Sequence, residues 1–378
     1  MRFAVLCAAV CWGFAASAAE APKAFPKFEI DPLWPKQLPD DFIMGDLAGI
    51  GIDAQDHVWV ITRQRTLDNT GYLGAEKMQP TSECCRRAPA VIEFDPDGNF
   101  VQGWGGPYSP TDTTSTFDWP EHEHGLTVDY KGNIWICGNG KDAAKGDDDQ
   151  CLKFSKTGRL LLQIGHAGKS KGSLDTENLG HPAQAAIRQK TNEVFIADGY
   201  VNRRIAVFDS DTGKFKRMWG AYGKTPDDKV SRDRSFDGAA PRQFNLVHGI
   251  KISNDGLVYV SDRQNNRIQV FTLDGKFLKE AFIHRDTRSV SGTSYSLAFS
   301  ADPEQRFLYD ADAANFKIRV LDRQTLQEIP GAAFGHAGPY AGQFNQLHVI
   351  ATDSKGNLYT TEANGARVQK WVYKGLSQ

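Results

Sequence analysis

The stretch His248-Gly-Ile-Lys-Ile-Ser-Asn-Asp-Gly-Leu-Val-Tyr-Val-Ser-Asp262 decides the predicted fold of this chain. Apolar and polar residues alternate with a period of two around Asn254-Asp-Gly256, which is the pattern of half-buried β-strands and not of helices. An Asn-Asp-Gly sequence supplies the positive φ angles that a tight hairpin turn needs. The stretch therefore predicts a β-hairpin, and residues 263–271 after it predict a third strand.

The same unit recurs along the chain, which is the signature of a repeat architecture. Clear copies also begin at His124 and His348, and weaker copies begin at Ala48, Ala183 and Tyr295. A further strand closes most copies, at residues 100–104, 160–164, 215–219 and 277–282. Four antiparallel strands in each of six units predict an all-β, six-bladed β-propeller.

The N-terminal residues predict a targeting segment followed by the propeller. Met1-Arg2 gives a short basic start, and residues 3–16 form an apolar run that ends at a small-residue cleavage site. This run is shorter than the about 20 residues that span a bilayer. We therefore expect a signal peptide over residues 1–18 and one propeller domain over residues 19–378, exported to the periplasm or secreted. The strand at residues 28–31 is expected to complete the last blade and close the ring.

Charge and cysteine content narrow the possible partners and the compartment. Lys+Arg 44 against Asp+Glu 46 give a formal net charge of −2, which offers no broad basic surface for nucleic acid or an anionic membrane. Four cysteines follow the signal segment: Cys84, Cys85, Cys137 and Cys151. An even number fits disulfides in an oxidising compartment, and the sequence leaves all three possible pairings open. We expect a monomer that binds neither nucleic acid nor membrane.

One position of the repeat carries a pattern that points to chemistry. We call the first residue of each copy the slot position, and from blade one to blade six these residues are Ala48, His124, Ala183, His248, Tyr295 and His348. First strands of propeller blades line the central channel, so slots of alternate blades lie about 120° apart around the axis. Three imidazoles that converge there, with an open fourth position, form the ligand set of a catalytic zinc. A lone histidine at a strand start is more often a hydrogen-bonded lining residue, but three in alternate slots favour a metal site.

Two stretches resemble the NHL repeat family: IADGYVNRRIAVF at residues 196–208 and VSDRQNNRIQVF at residues 260–271. Together with the slot histidines, they resemble more closely peptidyl-α-hydroxyglycine α-amidating lyase. That resemblance implies an enzyme that cleaves the N–Cα bond of an α-hydroxyglycine and releases a peptide amide and glyoxylate. It also implies an axial zinc held by the three slot histidines, with a catalytic tyrosine at Tyr200.

The same resemblance implies two active-site arginines, Arg263 and Arg63, with Arg65 as a nearby alternative for the second. Cleavage removes the substrate hydroxyl proton, and Tyr200 can accept it if cations such as Arg263 and zinc lower the phenol pKa. Arg63 suits a substrate carboxylate, which a guanidinium binds through two parallel hydrogen bonds. The structural alternatives are a loop aromatic packed between blades for Tyr200 and a salt bridge for Arg263.

The chain departs from that family at a second cation site. The resemblance implies a structural calcium held by the carbonyl groups of Ile50 and Leu126 and by an aspartate after the third histidine, where this sequence has Val349. Loss of a carboxylate weakens a site for a hard cation, so calcium is not expected. Three imidazoles suit several metals besides zinc, and the substrate, a peptide or small molecule with an α-hydroxyglycine-like group, stays open.

Two other functions fit a six-bladed propeller, because one fold hosts many activities. One is a metal-dependent hydrolase of the lactone type, whose sites usually hold calcium with Asn, Asp and Glu instead of histidine. The other is a non-catalytic propeller that presents its loops to a protein or glycan partner. A stoichiometric metal favours an enzyme over the binding propeller.

Overall fold

A computed structural model describes residues 24–68, 83–108, 117–232 and 234–377. The expected signal segment, residues 1–18, lies outside the described residues. The innermost strand of each of the six blade sheets contacts the innermost strands of the sheets before and after it. The contact between blades six and one closes this series into a ring. The predicted all-β, six-bladed propeller is therefore confirmed.

The strands of each blade are given from the innermost outwards. Blade one consists of Asp46–Ile52, Val58–Arg63, Val91–Phe94 and Phe100–Trp104, and blade two of Glu123–Val128, Ile134–Gly138, Cys151–Phe154 and Leu160–Ile164. Blade three consists of Pro182–Arg188, Glu193–Asp198, Arg204–Asp209 and Phe215–Trp219, and blade four of Val247–Ile252, Leu257–Asp262, Arg267–Thr272 and Phe277–Phe282. Blade five consists of Ser294–Phe299, Phe307–Asp312 and Lys317–Asp322, and blade six of Leu347–Thr352, Leu358–Glu362, Arg367–Leu376 and Pro26–Asp31. Outside the blades, two short strands pair in parallel, Phe42–Ile43 and Arg86–Arg87.

Helical structure is confined to single turns in the described part of the chain. These 3₁₀ turns are Gln64–Leu67, Gln189–Thr191, Ala221–Gly223, Arg263–Asn265 and Ala313–Asn315. None of the described helices has the length and apolar character needed to cross a membrane. Two of these turns follow directly on the second strand of a blade: the turn Gln64–Leu67 comes after Arg63, and the turn Arg263–Asn265 begins with Arg263, both predicted active-site arginines.

The ring closes through its two chain ends, as predicted. The N-terminal strand Pro26–Asp31 pairs antiparallel with Arg367–Leu376 and forms the outermost strand of blade six. Five blades are four-stranded, whereas the outer position of blade five holds only isolated bridges in the described residues, Ile318 with Phe334 and Leu321 with Glu328. Pro330 precedes a glycine in this segment, and such residues do not support a regular strand.

Gly125 and Gly49 let neighbouring blades approach closely beside the slot positions. A Cβ atom on Gly125 would lie 2.3 Å from the carbonyl oxygen of Ala183, and one on Gly49 would lie 2.3 Å from the backbone nitrogen of Leu126. Only a residue without a Cβ atom fits such an approach. The hub is therefore narrow at this level, which brings slot side chains of different blades into contact.

The four cysteines whose pairing the sequence left open form two disulfides. Cys137 bonds to Cys151, its register partner on the third strand of blade two. Cys84 bonds to its neighbour Cys85, whose side chain is buried against Leu67. The connectivity is therefore one bond between adjacent residues and one bond across neighbouring strands.

Candidate metal centre

The slot histidines of blades two, four and six meet at the hub. His124, His248 and His348 are each the second residue of an innermost strand. Their ring centroids are 4.8 Å apart for His124 with His248, 4.8 Å for His124 with His348 and 5.1 Å for His248 with His348. Candidate ligand atoms of the three lie within 4.8 Å of one another, and all three side chains are buried. The structure thus brings the predicted metal ligands together.

Backbone carbonyl groups of the intervening blades orient these imidazoles. Each Nδ1 lies 2.6 to 2.7 Å from the carbonyl oxygen of the slot residue in the next blade: His124 with Ala183, His248 with Tyr295 and His348 with Ala48. A carbonyl oxygen only accepts, so Nδ1 donates and Nε2 presents its lone pair. Metal-ligating histidines are held in this way by a hydrogen bond at their other nitrogen. The donor set fits a zinc ion with three nitrogen ligands and an open fourth position.

Burial keeps the three imidazoles neutral. Desolvation lowers the pKa of each well below its usual value, and the positive charge of Arg63 lowers it further. Neutral imidazole is the form that binds a metal ion. The electrostatics of the hub therefore agree with the hydrogen-bond geometry.

Tyr200 reaches the histidine cluster from a loop of blade three. It follows the strand Glu193–Asp198, and its hydroxyl oxygen lies 2.9 Å from Nε2 of His124 and 3.2 Å from Nε2 of His248. The phenol ring also meets the two imidazoles, with centroid distances of 5.1 and 5.7 Å. The hydroxyl group therefore lies beside the ligand atoms, a placement that simple packing between blades does not require.

Arg263 connects Tyr200 to a second phenol. Its Nη1 donates to the Tyr200 hydroxyl at 3.1 Å, its Nη2 donates to the Tyr295 hydroxyl at 2.7 Å, and its Nε donates to the carbonyl of Ser291 at 2.7 Å. The guanidinium also stacks 3.8 Å from the centre of the Tyr295 ring. Among the described residues it forms no ion pair with a carboxylate, so the alternative of a structural salt bridge is not supported.

Opposing effects act on the pKa of Tyr200. The charge of Arg263 lowers it, as expected from the sequence, and the charge of Arg63, which the sequence did not link to this phenol, lowers it as well. Desolvation of the buried phenol is larger than either effect, and the pKa is raised overall. The protein's own cations therefore do not suffice to make Tyr200 a phenolate. The positive charge of a metal ion beside the hydroxyl would lower its pKa further.

Arg63 and Arg65 face different surroundings. Arg63 is buried, its Nε donates to the carbonyl of Glu123 at 2.8 Å, and its terminal nitrogens have no partner among the described residues. Arg65 is partly exposed and forms an ion pair with Glu121 at 2.8 Å. Because the charge of Arg63 also acts on the pKa of Tyr200, the arginine at the centre is Arg63, and Arg65 lies at the rim.

Several residues around the centre were missed by sequence reasoning. Tyr295 was recognised only as a slot residue, although its place in the blade-five slot already put it at the hub. Glu123, directly before His124, is fully buried, and burial raises its carboxyl pKa to about 7. Its oxygen accepts a hydrogen bond from Nε1 of Trp119 at 2.8 Å. Its position in the strand carries no repeat pattern that would have identified it.

Two arginines of the segment between blades three and four hold the loops that carry Tyr200 and Arg263. Arg232 donates to the carbonyl groups on either side of Tyr200, those of Gly199, Val201 and Asn202. Arg234 donates to the carbonyl of Gln264, next to Arg263, and to that of Ser289. These contacts join residues about 30 positions apart or more, so no local pattern in the sequence predicts them.

Val349 lies where the resemblance implied an aspartate. Its side chain is buried in an apolar cluster with Leu38, Ala351 and Tyr359. The position offers no carboxylate to a cation, and the absence of calcium stays a prediction from the sequence.

A second group of possible ligands is already neutralised. Asp53, His57 and Glu93 lie close enough to share an ion. Glu93 pairs with Lys156 at 2.8 Å and with His57 at 2.6 Å, and Asp53 accepts a hydrogen bond from Nε1 of Trp59 at 3.1 Å. These partners account for the buried carboxylates without a metal ion.

The comparisons with known proteins agree with this structure. The NHL repeat model matches residues 244–271. Peptidyl-glycine α-amidating monooxygenase A of Xenopus laevis is 28% identical over 343 residues, which cover 87% of this chain and 32% of that protein. NHL repeat-containing protein 3 of Homo sapiens is 26% identical over 292 residues, 75% of this chain and 73% of that protein. A probable peptidyl-α-hydroxyglycine α-amidating lyase of Caenorhabditis elegans is 23% identical over 253 residues, 65% of this chain and 62% of that protein.

The chain spans about a third of the length of the Xenopus protein that it matches. Among solved structures, a Bacteroides thetaiotaomicron protein of unknown function aligns with a TM-score of 0.53 at 14% identity, over 88% of this chain and 70% of that chain. At that identity the similarity supports the fold alone. The predicted resemblance is confirmed: one stretch of this six-bladed propeller matches the NHL repeat model, and the chain is similar to relatives named peptidyl-α-hydroxyglycine α-amidating lyase.

Proposed function

We propose that this chain is a zinc-dependent carbon–nitrogen lyase that cleaves the N–Cα bond of an α-hydroxyglycine-type carbinolamide into an amide and glyoxylate. The observation that carries the proposal is the placement of the Tyr200 hydroxyl 2.9 and 3.2 Å from two Nε2 atoms of a converging imidazole cluster. The names of the amidating relatives support the substrate class.

The residues of the hub fit a zinc ion. His124, His248 and His348 would hold it through Nε2, because each Nδ1 already donates to a backbone carbonyl. Bound there, zinc supplies a Lewis acid that stabilises negative charge on the substrate hydroxyl oxygen. Three imidazoles also suit other transition metals, so the metal itself has to be measured.

Tyr200 and Arg263 serve the proton transfer. As the C–N bond breaks, the substrate hydroxyl loses a proton and the amide nitrogen gains one, so a group that moves a proton is needed at the centre. The Tyr200 oxygen is next to the histidine cluster, and Arg263 donates a hydrogen bond to it at 3.1 Å. A hydrogen bond donated by a cation favours the phenolate, which is the form that accepts the proton.

Arg63 is assigned to the substrate carboxylate. Its guanidinium is buried near the cluster, and within the described parts of the chain only its Nε is engaged, with the carbonyl of Glu123. The two terminal nitrogens are free for two parallel hydrogen bonds, the arrangement that a guanidinium forms with a carboxylate. A carboxylate bound there brings the adjacent hydroxyl-bearing carbon towards Tyr200.

A second candidate function is a non-catalytic propeller that binds a protein or glycan. The relative named NHL repeat-containing protein 3 favours it, because its name states a repeat and no reaction. Such a scaffold does not require a converging cluster of three imidazoles beside a phenol, whereas the lyase does. Export, the single-domain boundary and the monomeric state stay predictions from the sequence.

Turnover of an α-hydroxyhippurate-type substrate tests the proposal. Protein loaded with one equivalent of zinc is expected to release glyoxylate and the amide in equal amounts. Tyr200→Phe is expected to lower kcat by about 10²- to 10⁴-fold, the usual contribution of a general acid or base, with zinc content unchanged. Tyr340→Phe is the matched control, because the Tyr340 side chain is exposed. Zinc-loaded protein that releases no glyoxylate, or a fully active Tyr200→Phe variant, contradicts the proposal.

A further inference from the structure

A cavity away from the imidazole cluster contains a lysine of the hub. Lys251 lies three residues after His248 on the innermost strand Val247–Ile252, which is a separation of about 10 Å along a β-strand. The cavity has a volume of about 380 Å³, and Lys251 is one of its lining residues. None of the residues assigned to the metal centre lines it.

The cavity lining next to Lys251 leaves room around its side chain. Four other blades contribute residues that, like Lys251, lie three positions after the slot, and all four are small: Gly51, Thr127, Ala298 and Ala351. Among the described residues that line the cavity, Lys251 is the only basic one. One ammonium group therefore faces a space bounded mainly by small side chains and backbone.

Lys251 has no partner among the described residues: it forms neither a hydrogen bond nor an ion pair there. The two acidic residues of the lining are engaged elsewhere. Asp302 accepts a hydrogen bond from the Ser300 hydroxyl at 2.5 Å, and Asp353 accepts one from the Asn357 amide at 2.8 Å. Desolvation is the only cause acting on the ammonium group, and it lowers the pKa of Lys251 to about 8.

A desolvated cation without a counter-charge is unfavourable, and an anion from outside the chain removes that cost. We propose that this cavity is a second binding site, which takes a small monocarboxylate through the ammonium group of Lys251. A monocarboxylate fits better than phosphate, because Asp302 and Asp353 at the same cavity repel a dianion more strongly. The side-chain amide of Asn254, another lining residue, donates one hydrogen bond to the carbonyl of Pro303 and has a second N–H to offer a ligand. The site does not depend on the lyase reaction, although glyoxylate belongs to the ligand class.

Nuclear magnetic resonance of the full chain labelled at lysine Cε tests this site. The pH titration of Lys251 is recorded at constant ionic strength, first in chloride and then in acetate, with metal content held the same. An anion that binds the charged form raises the midpoint, and we expect a rise of about one unit in saturating acetate, equivalent to about tenfold stronger binding by the ammonium form.

Lys251→Met identifies the resonance and is expected to abolish the acetate effect. Lys190→Met is the matched control, because Lys190 is exposed and also follows the far end of an innermost strand. Lys251→Arg serves as a second variant that keeps the charge if Lys251→Met does not fold. The same midpoint in chloride and acetate overturns the site. A larger rise in phosphate than in acetate overturns the assignment to a monocarboxylate.

Discussion

Blades two, four and six differ from blades one, three and five at the slot position, and the two sets act on each other. The even blades supply imidazoles, and the odd blades supply the carbonyl groups that accept a hydrogen bond from Nδ1 of each imidazole. The contact always runs from an even blade to the next blade along the chain: His124 to Ala183, His248 to Tyr295 and His348 to Ala48. The blades thus fall into two sets: the even blades supply the candidate ligands, and the odd blades supply the carbonyl groups that orient them.

The difference explains why the odd slots vary and the even slots do not. A backbone carbonyl is present whatever the side chain is, so Ala48, Ala183 and Tyr295 all orient a neighbouring imidazole. An imidazole nitrogen comes only from histidine, so each even slot carries that residue. Side-chain identity therefore matters for the metal in one set of blades, and backbone position matters in the other.

Removing a ligand from an even blade is expected to have the largest effect. His248→Ala leaves two imidazoles. Loss of a partner that only orients a ligand lowers metal affinity by about 10- to 100-fold, and we expect loss of a ligand itself to lower zinc affinity by more than that. Glyoxylate release and the zinc-dependent rise in melting temperature are expected to disappear with it. Zinc is measured by competition with a chelator.

Tyr295→Phe is the matched variant in an odd blade. It keeps the carbonyl that accepts from His248 and removes only the hydroxyl that accepts from Arg263. We expect this variant to bind zinc as the parent does and to show reduced turnover. If His248→Ala retains zinc as Tyr295→Phe does, the division of labour between even and odd blades is wrong.

A change of backbone spacing between an even and an odd blade is expected to have an intermediate effect. Gly125→Ala places a Cβ atom 2.3 Å from the Ala183 carbonyl oxygen, which is the group that orients His124. Displacing this carbonyl is expected to weaken zinc binding by about 10- to 100-fold. Overpacking also costs about 1 to 3 kcal/mol of unfolding free energy.

Gly51→Ala is the control for that experiment. Gly51 lies in the neighbouring contact, between blades one and two, where its Cβ atom would be 3.0 Å from Val128 and remote from the slots. We expect it to lower the melting temperature and leave zinc affinity unchanged. Equal losses of zinc affinity in Gly125→Ala and Gly51→Ala would show that general packing, and not the orienting carbonyl, sets metal affinity.

Much of the propeller could be predicted because the repeat signals are local. The closing strands expected at residues 100–104 and 160–164 are the observed strands Phe100–Trp104 and Leu160–Ile164. Alternating polarity and turn residues lie within each hairpin, so a single copy already specifies its own strands. Blade five shows the limit, because the segment with Pro330 forms isolated bridges and not a fourth strand.

The site was only partly predictable, since its parts come from signals of different range. The three histidines followed from aligning the repeats, and ring symmetry then placed them together. The direction of the Tyr200 pKa did not follow, because it depends on whether desolvation exceeds the effect of two guanidinium groups. The contacts of Arg232 depend on the path of a loop that no periodic pattern encodes.

The smallest expected effect concerns a residue that acts on the centre only through Tyr200. Arg232→Gln removes the guanidinium that donates to the carbonyls of Gly199, Val201 and Asn202, so the loop loses part of its support. Misplacement of a catalytic group by a fraction of an ångström is expected to lower kcat by about tenfold, with zinc affinity and KM little changed. Arg242→Gln, an exposed arginine of the same segment, is expected to behave as the parent.

A merely structural role for Arg232 predicts a different result. It would lower the melting temperature and leave kcat unchanged for the folded fraction, so turnover is normalised to the zinc bound. A positioning role predicts instead that the Arg232→Gln effect disappears in the Tyr200→Phe background, because the two changes act on one group. If the double variant Arg232→Gln/Tyr200→Phe loses kcat by the product of the two single losses, Arg232 does not act through Tyr200. The positioning of the Tyr200 hydroxyl would then be assigned to its hydrogen bond with Arg263 and not to Arg232.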